Sequence, residues 1–160
     1  DLLQYGLIPA AQATFVSLYV TRMVVEKVGL PIKDFFIWGD DIEYTRRITT
    51  RNHMISYLVS NSVVIHEMGS NTGSNIAIDD DDRLKRYYYA YRNDCFTYRL
   101  EGLKGSIYYI AKCGKNILRI LLKSHNHRIR RLRILFSGAF AGITFRPEIE
   151  YTNKGRSTDD

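Results

Sequence analysis

Cysteine is scarce in this chain, and the two present, Cys95 and Cys113, have neither the paired spacing of a zinc site nor the company of a disulfide framework. A reducing compartment is the simplest expectation. Apolar runs are short as well. None reaches the length of about 20 residues that spans a bilayer, because Gln12 and Thr14 interrupt the first candidate and lysines interrupt the later ones. Any membrane contact is therefore expected to be peripheral. No initiator Met and no basic-then-apolar leader stand at Asp1, so the sequence reads as a piece of something longer. Acids are almost missing from residues 83–133, where 14 Lys and Arg face only Asp94 and Glu101. That is a net +12 inside a chain of +6, which leaves −6 on the remainder. Such segregation implies two surfaces with different partners, the acidic one suiting a metal ion and the basic one an anionic polymer or membrane.

What is there is enough for one hydrophobic core: 160 residues, 45% hydrophobic and 25% charged, the balance of an ordinary soluble domain. Residues 13–20 are rich in β-branched and aromatic types and predict a strand. Thr21 then opens a short helix through Met23, Val24, Val25 and Val28 that stops at Gly29, with Pro31 as a second stop signal. After Phe35-Phe36-Ile37-Trp38-Gly39, a helix from Asp40 to about Asn52 places Asp40, Asp41 and Glu43 in its first turn, with Ile42, Thr45 and Ile48 or Thr49 inward. Two strands, 54–60 and 62–65, lead to His66 and a Gly/Ser/Asn loop from Gly69 to Asn75 with the composition of a lid. Asp79 to Asp82 precede a helix on which Leu84, Tyr88, Tyr91, Cys95 and Tyr98 form one apolar stripe, expected to pack under a sheet. A second helix from Leu103 is expected to set Ile107, Ile110, Ile117, Leu118 and Leu121 on one face and Lys104, Lys112, Lys115 and Arg119 on the other. A third follows around Ile129, Leu132, Leu135 and Phe136.

Four motifs fall in a recognisable order: Phe35 to Arg47, which reads FFIWGDDIEYTRR; the helix ending Gly29-Leu30-Pro31 before it; Val63-Val64-Ile65-His66 after it; and Tyr88-Tyr89-Ala90-Tyr91-Arg92-Asn93. Together they resemble the acceptor-side, C-terminal half of family-2 inverting glycosyltransferases, in the galactofuranosyl- and rhamnosyltransferase-like branch, over roughly residues 10–145. The resemblance implies an α/β fold, the C-terminal part of a GT-A (nucleotide-diphospho-sugar transferase) mixed sheet followed by amphipathic helices. It implies Asp41 as catalytic base and His66 as a ligand of a divalent cation, Mn²⁺ or Mg²⁺, beside the diphosphate of a nucleotide-sugar donor. Trp38, Asp40, Glu43, Arg46 and Arg47 would then bind the acceptor or support the site. Inverting displacement needs a base on the acceptor hydroxyl and a positive charge on the departing diphosphate, which explains the residue types. An Asp-x-Asp-like motif of the nucleotide-binding half has no counterpart before Asp40, so residues 1–160 alone are expected to be inactive.

Plainer readings stand beside these. The acids at 40, 41 and 43 suit any helix start, and His66 suits any strand end. Asp79 to Asp82 lack the Gly and closing Glu of a calcium loop, and His125 and His127 lie in a basic loop without acids. The division expected is residues 1–78 as acceptor-side catalytic portion, 79–145 as a basic helical region and 146–160 as a polar tail. Lys112, Lys115, Arg119, Lys123, Arg128, Arg130, Arg131 and Arg133 would rest on an anionic membrane. The expected protein is thus a cytoplasmic enzyme, peripheral at the inner face of the cell membrane, building cell-surface polysaccharide on a glycan or lipid-linked acceptor. Gly138 to Gly142 and the apolar C-terminal helices would offer a homo-oligomer contact. Rival readings are a basic nucleic-acid-binding module, disfavoured because no nucleic-acid motif appears, and a metal-dependent hydrolase using Asp40, Asp41 and Glu43.

Overall fold

The computed structural model describes residues 2–67 and 73–152, and helices dominate a mixed α and β chain. The described residues fall into two compact units, one of residues 2–34, 40–67 and 148–152 and the other of 35–39 and 73–147.

In the first unit, strands β1 (Leu7–Pro9) and β2 (Tyr57–Val59) pair antiparallel, Ile8 opposite Leu58. Helix α1 (Arg22–Val28) begins after Thr21, whose carbonyl accepts from Val24 and Val25, and ends at Gly29 as the sequence predicts. Gly29 adopts φ 82° and its N–H returns to Val25 O at 2.9 Å. A side chain there would also strike Ile149, because residues 148–150 pack back on this turn and Glu150 O accepts from Leu30 N at 2.8 Å. Helix α2 (Asp40–Arg46) continues into a wider π turn, Arg47–Arg51, closed by Asn52, whose N–H and Nδ2 both reach Arg47 O. Val28, Tyr44 and Ile48 form the small core, flanked by Leu18, Val20, Val24 and Met54.

Residues 13–20 are not a strand. The neighbour of this segment is a threonine hydroxyl of α2 rather than a second strand: Thr45 Oγ1 accepts from Ala13 N, just ahead of it Thr49 Oγ1 of the π turn donates to Ala11 O, and Phe15 packs edge-on against Tyr44. Ser17, at φ 61°, breaks what extended run remains. Of the next two expected strands only the part 57–59 forms, because β1 is its sole partner among the described residues. Residues 62–67 have no regular structure, and Val63, Val64 and Ile65 are exposed. Most of the expected lid, 69–72, lies outside the described residues.

The second unit is built from α3 (Asp81–Arg99), α4 (Gly102–Lys123) and α5 (Arg128–Thr144). Its core gathers Ile76, Leu84, Tyr87, Tyr91, Ile120 and Leu135. No strand lies in this unit among the described residues, so the tyrosines pack against helices rather than under a sheet, and Tyr87, not Tyr88, is the buried one. Gly138 and Gly142 bring α5 onto α3: a Cβ at either would run into the backbone at Tyr88 or Arg92. Both glycines are buried against α3, while Phe140 between them is exposed. Helix α4 buries Gly105, Tyr109 and Ile120 and leaves Ile107, Ile110, Leu118 and Leu121 exposed. Helix α3 accepts the small and aromatic residues because Gly105 can lie against the carbonyl of Tyr98. Among the described residues no helix is long and apolar enough to cross a membrane.

Candidate functional site

The acids expected to carry chemistry do start α2, but they divide into two kinds. Glu43 is 2% exposed and so is Arg47, one turn on. Their pairing is bidentate, Nε to Oε1 at 3.0 Å and Nη2 to Oε2 at 2.8 Å, and Arg51 approaches Oε1 at 3.5 Å. Arg47 also donates to Val28 O at 2.7 Å and Leu30 O at 3.1 Å, which fastens the end of α1 and the following turn to α2. Glu43 and Arg47 thus have their hydrogen-bonding capacity engaged inside the unit and act as support. Arg46 reaches outward to Gln12 Oε1 at 3.1 Å.

Asp41 is different. Its carboxyl is half-buried and accepts the N–H of Ile42 at 2.8 Å through Oδ1. Burial pushes its pKa above the ordinary carboxylate range and the neighbouring charge of Asp40 adds to this, while the Ile42 N–H opposes both. Desolvation thus outweighs the N–H donors that the helix start supplies. A carboxylate with raised basicity and partial access to solvent can accept a proton from a hydroxyl.

His66 lies exposed in the irregular segment 62–67, and no hydrogen bond or ion pair joins it to Asp40 or Asp41. No group of three or more His, Cys, Asp or Glu that could hold a metal gathers among the described residues. Among those residues His66 is a single donor on its own.

Trp38 belongs to a strained loop of the second unit. Phe36, Trp38 and Gly39 all have positive φ, 63°, 61° and 88°. For the two aromatic residues this backbone region costs roughly 1 kcal/mol or more each. Asn93, wholly buried, offsets it: Nδ2 lies 3.0 Å from Phe35 O, 3.2 Å from Ile37 O and 2.8 Å from Trp38 O. Two N–H groups serve three carbonyls, so at least one is shared. Trp38 is half-buried at the core's edge, edge-on to Tyr87 at 4.9 Å between centroids with the Arg83 guanidinium over it. Phe36 is 76% exposed and leans on Tyr89 at 5.0 Å.

No family model, curated protein or solved structure matches the chain. Side-chain chemistry alone then has to carry the functional reading. Of the eight cations expected to meet a membrane, the structure turns two inward. Lys112 Nζ donates to Asp94 Oδ2 at 2.6 Å, and Arg131, 2% exposed, donates to Ile76 O at 2.6 Å and Asp79 O at 2.9 Å. Arg130 is exposed but bonded to Asp81 Oδ2 at 2.8 Å, and Arg128 to Ser124 O at 2.7 Å. Lys115, Lys123 and Arg133 remain on the surface and Arg119 is half-buried.

Sequence reasoning missed the buried roles of Arg47 and Arg131. Their signal was faint: an arginine four residues after a glutamate at a helix start, and an arginine at core spacing from Leu135. The aspartates at 79–82 open α3 as expected. Asp79 is engaged by Tyr87 Oη at 2.6 Å and Arg83 at 3.5 Å.

Proposed function

We propose that the chain is the acceptor-side part of an inverting, nucleotide-sugar-dependent glycosyltransferase of GT-A type with Asp41 as its base. The observation that supports this is the contrast along α2: Glu43 is consumed by Arg47, while Asp41 stays half-accessible with its basicity raised by burial. In the reaction this reading requires, the acceptor O–H gives its proton to the Asp41 carboxylate as the oxygen attacks the anomeric carbon. The bond from that carbon to the diphosphate breaks on the opposite face, the electron pair leaves with the diphosphate, and configuration inverts. A divalent cation on the leaving diphosphate would need carboxylates besides His66.

A lipid-linked acceptor agrees with the cationic helices, and the protein in this reading is cytoplasmic and peripheral at the inner face of the cell membrane. Lipid suits those helices better than nucleic acid because their surface cations border exposed apolar side chains. The test is sugar transfer by the native gene product, with and without Asp41→Asn. Loss of about 10²- to 10⁴-fold in rate with donor binding retained is expected. Undiminished transfer would sink the base assignment, and release of free sugar with no glycan product would indicate a hydrolase.

A further inference from the structure

Helix α4 presents to solvent the face that an amphipathic helix ordinarily buries. Leu103, Ile107, Ile110, Leu118 and Leu121 recur at steps of four, three, eight and three residues. At 100° per residue they fall within an arc of roughly 80°. All are exposed, Ile110 by 69% and Leu103 by 77%, and Gly114 fills the gap between Ile110 and Leu118 without a side chain. The opposite face, with Gly105, Tyr109 and Ile120, is the one packed on the unit's core. Lys104 and Lys115 border the apolar arc on one side. Helix α5 repeats the pattern, leaving Ile129, Phe136, Phe140 and Ile143 exposed.

Charge decides what covers such a face. Residues 102–144 hold nine Lys and Arg and no Asp or Glu. A second copy of the chain would set like charges against each other, whereas an anionic lipid surface offers both an apolar boundary and opposite charge. We infer that the outward face of α4 lies in the boundary of an anionic lipid surface, with Ile107, Ile110 and Leu118 in the acyl region and Lys104 and Lys115 at headgroup level. The helix lies on the membrane and does not cross it. This rests on the peripheral-membrane part of the proposed function and not on Asp41.

The native chain is sedimented with vesicles of phosphatidylcholine containing about one-third phosphatidylglycerol, enough to give a negative surface. Ile110→Glu with Leu118→Glu is expected to reduce the bound fraction at least about tenfold, with the far-UV spectrum unchanged because both side chains face solvent. Lys104→Gln with Lys115→Gln is expected to weaken binding by about thirtyfold in low salt, and the difference should shrink as salt rises. Vesicle binding unaffected by the two glutamates overturns the inference. So does a parent that ignores vesicles and instead forms a dimer, dissolved by the same glutamates, in sedimentation equilibrium; that result would assign the face to a second copy. Asp41→Asn should bind vesicles as the parent does, so lost transfer with intact vesicle binding refutes only the base.

Discussion

The two units of this chain solve the same problem with different materials. The unit holding α1 and α2 buries few large apolar side chains, chiefly Val28, Ile32, Tyr44 and Ile48, and alongside them the polar Glu43, Thr45 and Arg47. The unit holding α3 to α5 has a wider apolar core, and among its buried polar groups Asn93, Ser124 and Arg131 each donate to backbone carbonyls. Among the described residues no buried side-chain nitrogen or oxygen lacks a partner. Where apolar area is scarce, a guanidinium and hydroxyls take over the joining of segments, and the joint is then sensitive to loss of one partner rather than to loss of volume.

Removing one partner of the buried ion pair is the sharpest way to break this contrast. Glu43→Leu strands the Arg47 charge and is expected to cost about 4 kcal/mol, read from urea unfolding, while Glu43→Leu with Arg47→Met should recover most of it. Next comes the apolar unit, where Ile120→Ala should cost about 3 kcal/mol through the cavity it leaves. No second substitution nearby is expected to restore it as the paired change does at 43 and 47. Asn93→Ala removes the side-chain donor from Ile37 O and Trp38 O and one of several from Phe35 O, and should cost about 2 kcal/mol. Hydrogen exchange at amides of residues 35–39 would report the loosened loop.

The smallest effect is also the most diagnostic. The Asp41 carboxyl has its pKa raised on folding, so its contribution to stability is complete at pH below the ordinary carboxylate range and is lost as pH rises through the elevated value. Asp41→Asn should therefore match the parent near pH 3 and melt slightly higher at pH 7. The gain should not exceed about 1 °C once solvent screening of a half-exposed group is counted. A residue kept at a cost to stability is one that serves something else, and a lower melting temperature for the variant at pH 7 would argue for a purely structural acid.

Much of the helical order was legible in the sequence because its signals are local. Gly29 ended α1, the aspartates opened α2 and α3, and the spacing of Leu84, Tyr91 and Cys95 announced the long α3. Strands were less legible, since residues 13–20 have the composition of a strand but a strand needs a partner, and here a threonine of α2 takes its place. Which face of α4 is buried was not legible for a related reason. Periodicity locates an apolar stripe but not what lies against it, and Gly105 and Tyr109 fit α3 more closely than Ile107 and Ile110 do. At the candidate site the first-turn acids were visible. Their division into a consumed Glu43 and an accessible Asp41 depended on where Arg47 lies, which spacing alone leaves open. His66 was expected at the end of a strand over 62–65, a segment that has no regular structure.

The three-way grip of Asn93 carries a consequence for the order of events during synthesis. Trp38 leaves the ribosome 55 positions ahead of the side chain that will hold its carbonyl, and domains assemble as their residues emerge. Until α3 is made, nothing restrains Phe36 and Trp38 in a left-handed backbone, and the nascent segment rests in relaxed conformations. The tight turn is therefore a late event, and its appearance marks the moment at which the tyrosine-rich helix has come into place.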